Sequence, residues 1–325
     1  MVNFVKKDFN SRVLSIPEFV KNRNKILVTR STGGAGDIFM HRMMFEDFKS
    51  LMPQMHLTFA TPKQYHSVVE DHPFLDDVID SEEINFEDYM ICYNTTTACT
   101  RYENKIAPYS DMHRSDIWAN HCGVKLKSHE MHFKISKENK EFARQYIEKI
   151  KKKHPGPVVG LSPVSSRIAK DLLPWQIDAI VDELRKEGCF ILGLHDKPID
   201  HLSKIQVPQI GKIQIDQWLA IINEVSYLVS VDTGTYHAAG GLKKPLMGVF
   251  TYADGKVYGK YFDSVLVQKH RDNGNWKCGP CFNWPDCPKT NNPRKPCLTE
   301  ITENMLRKGV RRMLNKWPAN SFTGN

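Results

Sequence analysis

The chain has 325 residues, 41% hydrophobic and 25% charged, a composition that excludes a disordered or fibrous protein and suits two globular domains of ordinary size. Its formal net charge is +8, from 45 basic and 37 acidic side chains, which favours an anionic ligand without choosing among nucleotide, nucleic acid and membrane surface. No apolar run approaches the length that spans a bilayer, and eight cysteines in a chain this long do not make a disulfide-framed mini-domain.

Met1–Asn10 holds Lys6, Lys7 and Asp8 and no apolar block, so no secretory signal is read there and a cytoplasmic protein is expected. Lys25–Arg30 reads as a first buried strand, Ser31–Asp37 as a glycine-rich turn, and Ile38–Leu51 as a helix. The turn has no Gly-Lys-Ser/Thr, so it is not a P-loop. Gly34-Ala35-Gly36 has the spacing of a dinucleotide fingerprint, but Phe39 stands where the third glycine belongs. Gly34 and Gly36 still mark a place where something approaches the backbone closely. Asp37, at the helix start, reads either as a first-turn acid or as a carboxylate general base.

His56–Ala60 is a second strand, Pro62–Glu70 a helix, Asp77–Ile79 a third strand and Tyr89–Tyr93 a fourth. Asn94–Ser110 is polar and patternless and is expected to be a loop. His113–Cys122 looks helical; its His113, Arg114 and Asp116 could meet a polar substrate or lie on a solvated face. Glu138–Lys153 is amphipathic, and its Lys151–Lys153 end complements a helix dipole without any nucleic acid. His154-Pro155-Gly156-Pro157 is the best domain boundary, dividing the chain into 1–154 and 155–325.

The rhythm then restarts. Val158–Leu161 is a strand, and Ser162–Leu173 a loop holding Ser165, Ser166, Arg167 and Lys170. Pro174 opens a helix with Ile177, Ile180, Val181 and Leu184 at i, i+3, i+4, i+7. Cys189–Leu194 is a strand and Gln217–Glu224 a helix. Tyr227–Val231, an apolar β-branched run, reads as a buried parallel strand. Asp232-Thr233-Gly234 turns it into a small-residue helix, Thr235–Leu242. Backbone N–H groups at such a helix start, with the Thr233 and Thr235 hydroxyls, can receive a phosphate; a capped structural turn is the plainer alternative. Pro245–Phe250 is another strand. Alternating strands and helices predict an α/β protein of two doubly wound, Rossmann-like domains facing a cleft, with ligands beyond the carboxyl ends of strands.

In the segment 278–297, Cys278, Cys281, Cys287 and Cys297 sit among Gly, Pro and Asn. As thiolates they could ligate one structural Zn²⁺, although the later spacings match no common finger; free thiols or a redox-labile pair are the other readings. Glu303–Trp317 closes the chain as a helix, with Arg307, Lys308, Arg311 and Arg312 on one stripe, either a solvated face or a contact for an anionic partner.

Several motifs occur together in order: Gly36-Asp37 after the first strand, His72-Pro73-Phe74-Leu75-Asp76-Asp77-Val78-Ile79, and His113-Arg114-Ser115-Asp116-Ile117-Trp118. Pro163-Val164-Ser165-Ser166 with Lys170, Val231-Asp232-Thr233-Gly234-Thr235-Tyr236-His237, and the cysteine segment from Cys278 follow. With these the chain resembles glycosyltransferase family 9, the heptosyltransferase group, which has the GT-B fold. The resemblance implies an inverting transferase that needs no catalytic metal and uses a nucleotide-diphosphate sugar as co-substrate. It implies Asp37 as base, Lys170 on the donor phosphate with Ser165 and Ser166 in its loop, and Asp232, Thr233, Gly234, Thr235 and His237 around the pyrophosphate. Gly34, Gly36, His113 and Arg114 would lie on the acceptor side, and the acceptor would be a glycan or lipid-linked saccharide such as lipopolysaccharide. Two other readings stay open: the same chemistry on a modified base in DNA, and a non-catalytic nucleotide-binding module.

Overall fold

The short apolar runs become the central strands of two separate five-stranded sheets. The computed structural model describes residues 11–13, 24–106, 111–251, 253–268 and 296–319. Of these, residues up to 105 and from 112 to 134 form one compact unit; 106 and 111, with everything from 135 onward, form another. The helix Lys137–Lys151, which precedes the boundary expected at 154/155, groups with the second unit.

In the first unit the strands are β1 (Ser11–Val13), β2 (Lys25–Thr29), β3 (His56–Thr61), β4 (Asp77–Asp80) and β5 (Ile91–Asn94), in the order β1-β5-β2-β3-β4. All pairs are parallel except β1, which lies antiparallel to β5. The chain moves from β2 outward through β3 to β4, then returns to place β5 on the other side of β2. That reversal opens a crevice beyond the carboxyl ends of β2 and β5, the usual ligand position in an open parallel sheet.

Helix α1 (Ala35–Leu51) leaves the end of β2 and packs Ile38, Met40, Met44, Phe45 and Phe48 against Ile26, Val28, Leu57 and Phe59 of the sheet. The helix expected over Pro62–Glu70 is a 3-10 segment, Lys63–Val68, which Pro62 introduces in an extended conformation. The stretch 94–110, expected as a loop, contains helix α2 (Ala98–Ile106). Its inward face is Ala98, Cys99 and Glu103, so a carboxylate occupies the place where an apolar residue would have signalled the helix. Helix α3 (Arg114–His121) follows and carries the fully buried Trp118.

Arg42 of α1 is also fully buried. It donates from Nε to Met131 O (2.6 Å), from Nη1 to Val68 O and Asp71 Oδ1 (both 2.7 Å), and from Nη2 to His132 O (2.6 Å). One guanidinium thereby fastens the strap at Met131–His132 to α1. Arg42→Met should cost about 3–5 kcal/mol, because it leaves the Asp71 carboxylate and three carbonyls short of a donor. Arg42→Lys should recover little, since one ammonium cannot span the fork. A urea midpoint within error of the wild type, at unchanged slope, would show the strap contributes nothing.

The second unit holds α4 (Lys137–Lys151), β6 (Val158–Ser162), α5 (Pro174–Lys186), β7 (Phe190–Gly193), α6 (Asp200–Lys204), α7 (Ile215–Glu224) and β8 (Tyr227–Val231). After them come α8 (Gly234–Gly241), β9 (Leu246–Phe250), α9 (Gly255–Tyr258), β10 (Ser264–Gln268) and α10 (Glu303–Lys316). The order β10-β9-β8-β6-β7 is parallel throughout, and the winding reverses between β6 and β8. Sheet and helices share one core, in which α10 sets Leu306, Val310 and Met313 against α5, β9 and β10. Each such burial contributes about 1.5–3 kcal/mol. Gly309 lets α10 lie flat on the sheet, since a Cβ there would collide with Val267 and Met247. On the helix's outer side Arg311 bonds Glu183 of α5, and Arg307 lies within ion-pair distance of Asp182 and Glu183, while Lys308 and Arg312 are exposed. No helix among the described residues is long and apolar enough to cross a membrane.

Candidate functional site

Both reversal points carry charged side chains. In the first unit β2 ends at Thr29, and Arg30 follows with its side chain 8% exposed. Its Nη1 donates to Thr95 O (3.2 Å) and Thr96 O (2.9 Å), just past β5. Its Nη2 donates to Asp37 Oδ2 at 3.0 Å. Asp37 stands in the first turn of α1, where the helix dipole favours an acid. Its Oδ1 lies 3.4 Å from Nη1 of Arg114, and Arg114 is held from Nε and Nη2 by both oxygens of Glu103 at 2.9 and 3.0 Å. Burial pushes the Asp37 carboxyl up, but Arg30, Arg114 and His41 together outweigh it and hold the pKa below the ordinary 3.8.

His41, one turn on, stacks on Trp118 with ring centres 3.8 Å apart. Burial, then the nearby Arg30 charge, lower its pKa to about 3, so the imidazole is neutral at physiological pH. Its Nδ1–H donates to Asp37 O (2.8 Å), and its Nε2 lies 2.9 Å from the Thr95 hydroxyl oxygen, whose own proton is directed to Thr29 O (2.9 Å). His41 is thus a neutral support beneath the carboxylate.

In the second unit β8 delivers Asp232 beyond its carboxyl end. Lys170, on a 3-10 turn after β6, donates from Nζ to Asp232 Oδ2 (2.6 Å) and to Asp232 O (3.1 Å). His237 Nε2 lies 3.3 Å from Asp232 Oδ1. Burial raises the Asp232 carboxyl, but Lys170 and His237 overcome it and hold it far below the usual carboxylate range. Thr233 caps α8, its Oγ1 accepting from Thr235 N at 3.2 Å. Thr235 Oγ1 donates to Ser162 Oγ at 3.1 Å and so ties the start of α8 to the end of β6. Nδ1 of His237 is buried with no hydrogen-bond partner among the described residues. A buried polar atom left so costs free energy unless something else satisfies it.

The candidate residues therefore fall into two groups. Asp37 and Arg114 meet in the first unit; Lys170, Asp232, Thr233, Gly234, Thr235 and His237 gather in the second. Ser165 turns inward on its own loop, its amide donating to Asp171 Oδ1 (2.7 Å) and its hydroxyl to Arg167 O (2.9 Å), whereas Ser166 is exposed. Gly34 is the exposed N-cap residue of α1, with room for a Cβ, and Gly36 lies within the first turn. His113 has no exposed surface: it caps α3, with Nδ1 2.7 Å from the Ser115 hydroxyl and 3.2 Å from its amide. Arg30, Glu103, His41 and Thr95 were not singled out from sequence. Arg30 had a usable signal, a cation just past the carboxyl end of a buried strand; Glu103 had none, lying in a segment without periodicity. Cys278, Cys281 and Cys287 lie outside the described residues, and Cys297 is half-buried in a 3-10 turn, Pro296–Glu300. Among the described residues no three His, Cys, Asp or Glu gather as a metal site would need.

Two doubly wound sheets, parallel but for β1, each with a charged cluster at its switch point, make an α/β protein of the GT-B fold. The fold is shared with a family 9 glycosyltransferase from Veillonella parvula DSM 2008 (TM-score 0.67, 14% identity, covering 94% of this chain and 100% of that one). It is shared with the ADP-heptose lps heptosyltransferase II of E. coli (0.59, 13%, 90% and 99%). The iron-containing dodecameric glycosyltransferase TibC from enterotoxigenic E. coli H10407 also has it (0.64, 13%, 90% and 76%). No curated protein matches the chain. The family model described as glycosyltransferase family 9 (heptosyltransferase) matches residues 93–285. The chain belongs to that family and is a glycosyltransferase.

Proposed function

We propose that the protein transfers a sugar, with inversion, from a nucleotide-diphosphate donor to a hydroxyl of a glycan or lipid-linked saccharide. The observation that carries this reading is the charge cluster at the switch point of each sheet. One ends in a half-buried, ionised carboxylate, which suits a base; the other ends in a lysine and a helix start, which suit a leaving anion. In the proposed step the acceptor hydroxyl attacks the anomeric carbon and its proton passes to Asp37. The bond from that carbon to the phosphate oxygen breaks, and the nucleoside diphosphate departs. Lys170 has a third N–H beyond the two committed to Asp232, and with the first turn of α8 it meets the charge that develops on the departing oxygen. His237 Nδ1 supplies a further polar contact for the donor.

ADP-heptose is the donor named for the E. coli heptosyltransferase II, and an adenine nucleotide is the first donor to test. In this reading the developing charge is met by protein groups without a catalytic metal; metal analysis of the purified protein addresses the cysteine segment separately. A thermal-shift series of nucleoside diphosphates checks the donor site. A ligand at 100 times its Kd adds about 2.7 kcal/mol and raises the melting point. ADP is expected to do so while adenosine does so far less. If no diphosphate in the series shifts the transition, the donor-site reading fails.

A further inference from the structure

We propose that Arg30 is a positioning residue for Asp37, anchoring one carboxylate oxygen so that the other is left to take the proton. The inference rests on the base reading of Asp37. Arg30 bonds the backbone just past β5 at two carbonyls and the carboxylate at Oδ2, and its guanidinium carbon lies 5.1 Å from the centre of the Trp118 ring. It thus joins the ends of the two strands flanking the reversal and holds Asp37 against that joint. Arg30 is buried and Asp37 half-buried, so salt screens the contact less than it would an exposed pair.

Oδ1 is held differently. Its nearest described partner is Arg114 Nη1 at 3.4 Å, long for a charge-assisted hydrogen bond, and Arg114 is turned toward Glu103 by two shorter ones. A hydroxyl that donates to the carboxylate therefore meets Oδ1. As its oxygen bonds the anomeric carbon and the bond to the diphosphate breaks, its proton moves to Oδ1, and solvent later removes it.

Gly33 gives an independent sign that the anchor was built for. Its φ is +121°, and a Cβ there would stand 2.5 Å from Oδ2 and 2.9 Å from Arg30 Nη2. The glycine at this point of the loop makes room for the Arg30–Asp37 pair. Lysine at position 30 keeps the charge but loses the planar fork that reaches two carbonyls and a carboxylate at once.

The test follows the Asp37 carboxyl by NMR in protein labelled with ¹³C-carboxyl aspartate, assigned by its loss in Asp37→Asn. The midpoint should rise toward the ordinary carboxylate range in Arg30→Gln, and less far in Arg30→Lys. The acid limb of kcat/KM should rise with it, while the KM for donor stays put. An Asp37 midpoint unchanged in a natively folded Arg30→Gln would overturn the proposal. If that variant does not fold, an unchanged midpoint in Arg30→Lys overturns it equally. A shifted midpoint together with an active Asp37→Asn would keep the pairing, end the role of Oδ1 as proton acceptor, and so separate failure of the base reading from failure of the anchor.

Discussion

Asp37→Asn should fold and bind nucleotide but lose about 10²–10⁴-fold in turnover, the range general base catalysis supplies. Asparagine keeps the shape and offers Arg30 an oxygen, so the anchor survives while the basic oxygen becomes an amide. The donor KM should hold, because the phosphate-binding candidates Lys170 and Asp232 belong to the other unit. Turnover equal to the wild type would end the base reading. Because Arg30 and Arg114 keep the carboxyl below 3.8, the wild type should stay active at acid pH until the protein itself gives way. The sign for stability is the same. Asp37 and Asp232 both have folded pKa values below their unfolded ones. Their contribution is complete above about pH 5 and is lost as pH falls through 3.8 toward the folded values, measurable as a falling melting point.

Lys170→Met should have the next largest effect, about 10²–10³-fold in kcat, the scale seen when one preorganised donor to a developing anion is removed. Two measurements separate this role from a structural one. Calorimetry should show affinity for a nucleoside diphosphate falling while affinity for the nucleoside stays. Arg at this position should restore part of the diphosphate binding, since a cation is again in reach. The variant also takes the ammonium away from the buried Asp232 carboxylate, so its stability should fall at neutral pH. Equal diphosphate affinity in Lys170→Met and wild type would remove lysine from the donor site.

Much of the fold was legible because buried parallel strands are written as largely apolar runs: Tyr227–Val231 and Val158–Leu161 announce themselves without alternation, the second strand extending one residue further to Ser162. The position of Asp232–Thr235 was legible too, since turn formers directly after such a run fall at a strand end. What escaped was polar and buried. Glu103 is buried against the Arg114 guanidinium, a pairing with a different helix that no local period records. His113, read either as meeting a polar substrate or as lying on a solvated face, is buried, and a histidine two residues before the amide it caps is as much a helix-start signal as a ligand. β10 was passed over because five residues, Ser264–Gln268, with alternate side chains half-buried, make a short edge strand beside sequence rich in tyrosine and glycine.

The outward side of α10 bears on the nucleic-acid alternative. Four cations on one stripe would suggest a counterion-release slope near −3.6 on duplex DNA, at about 0.9 per phosphate neutralised. Arg307 and Arg311 already spend their charge on Asp182 and Glu183, which leaves Lys308 and Arg312 and halves that slope to about −1.8. A polyanion would bind this helix only loosely and would be shed at modest ionic strength.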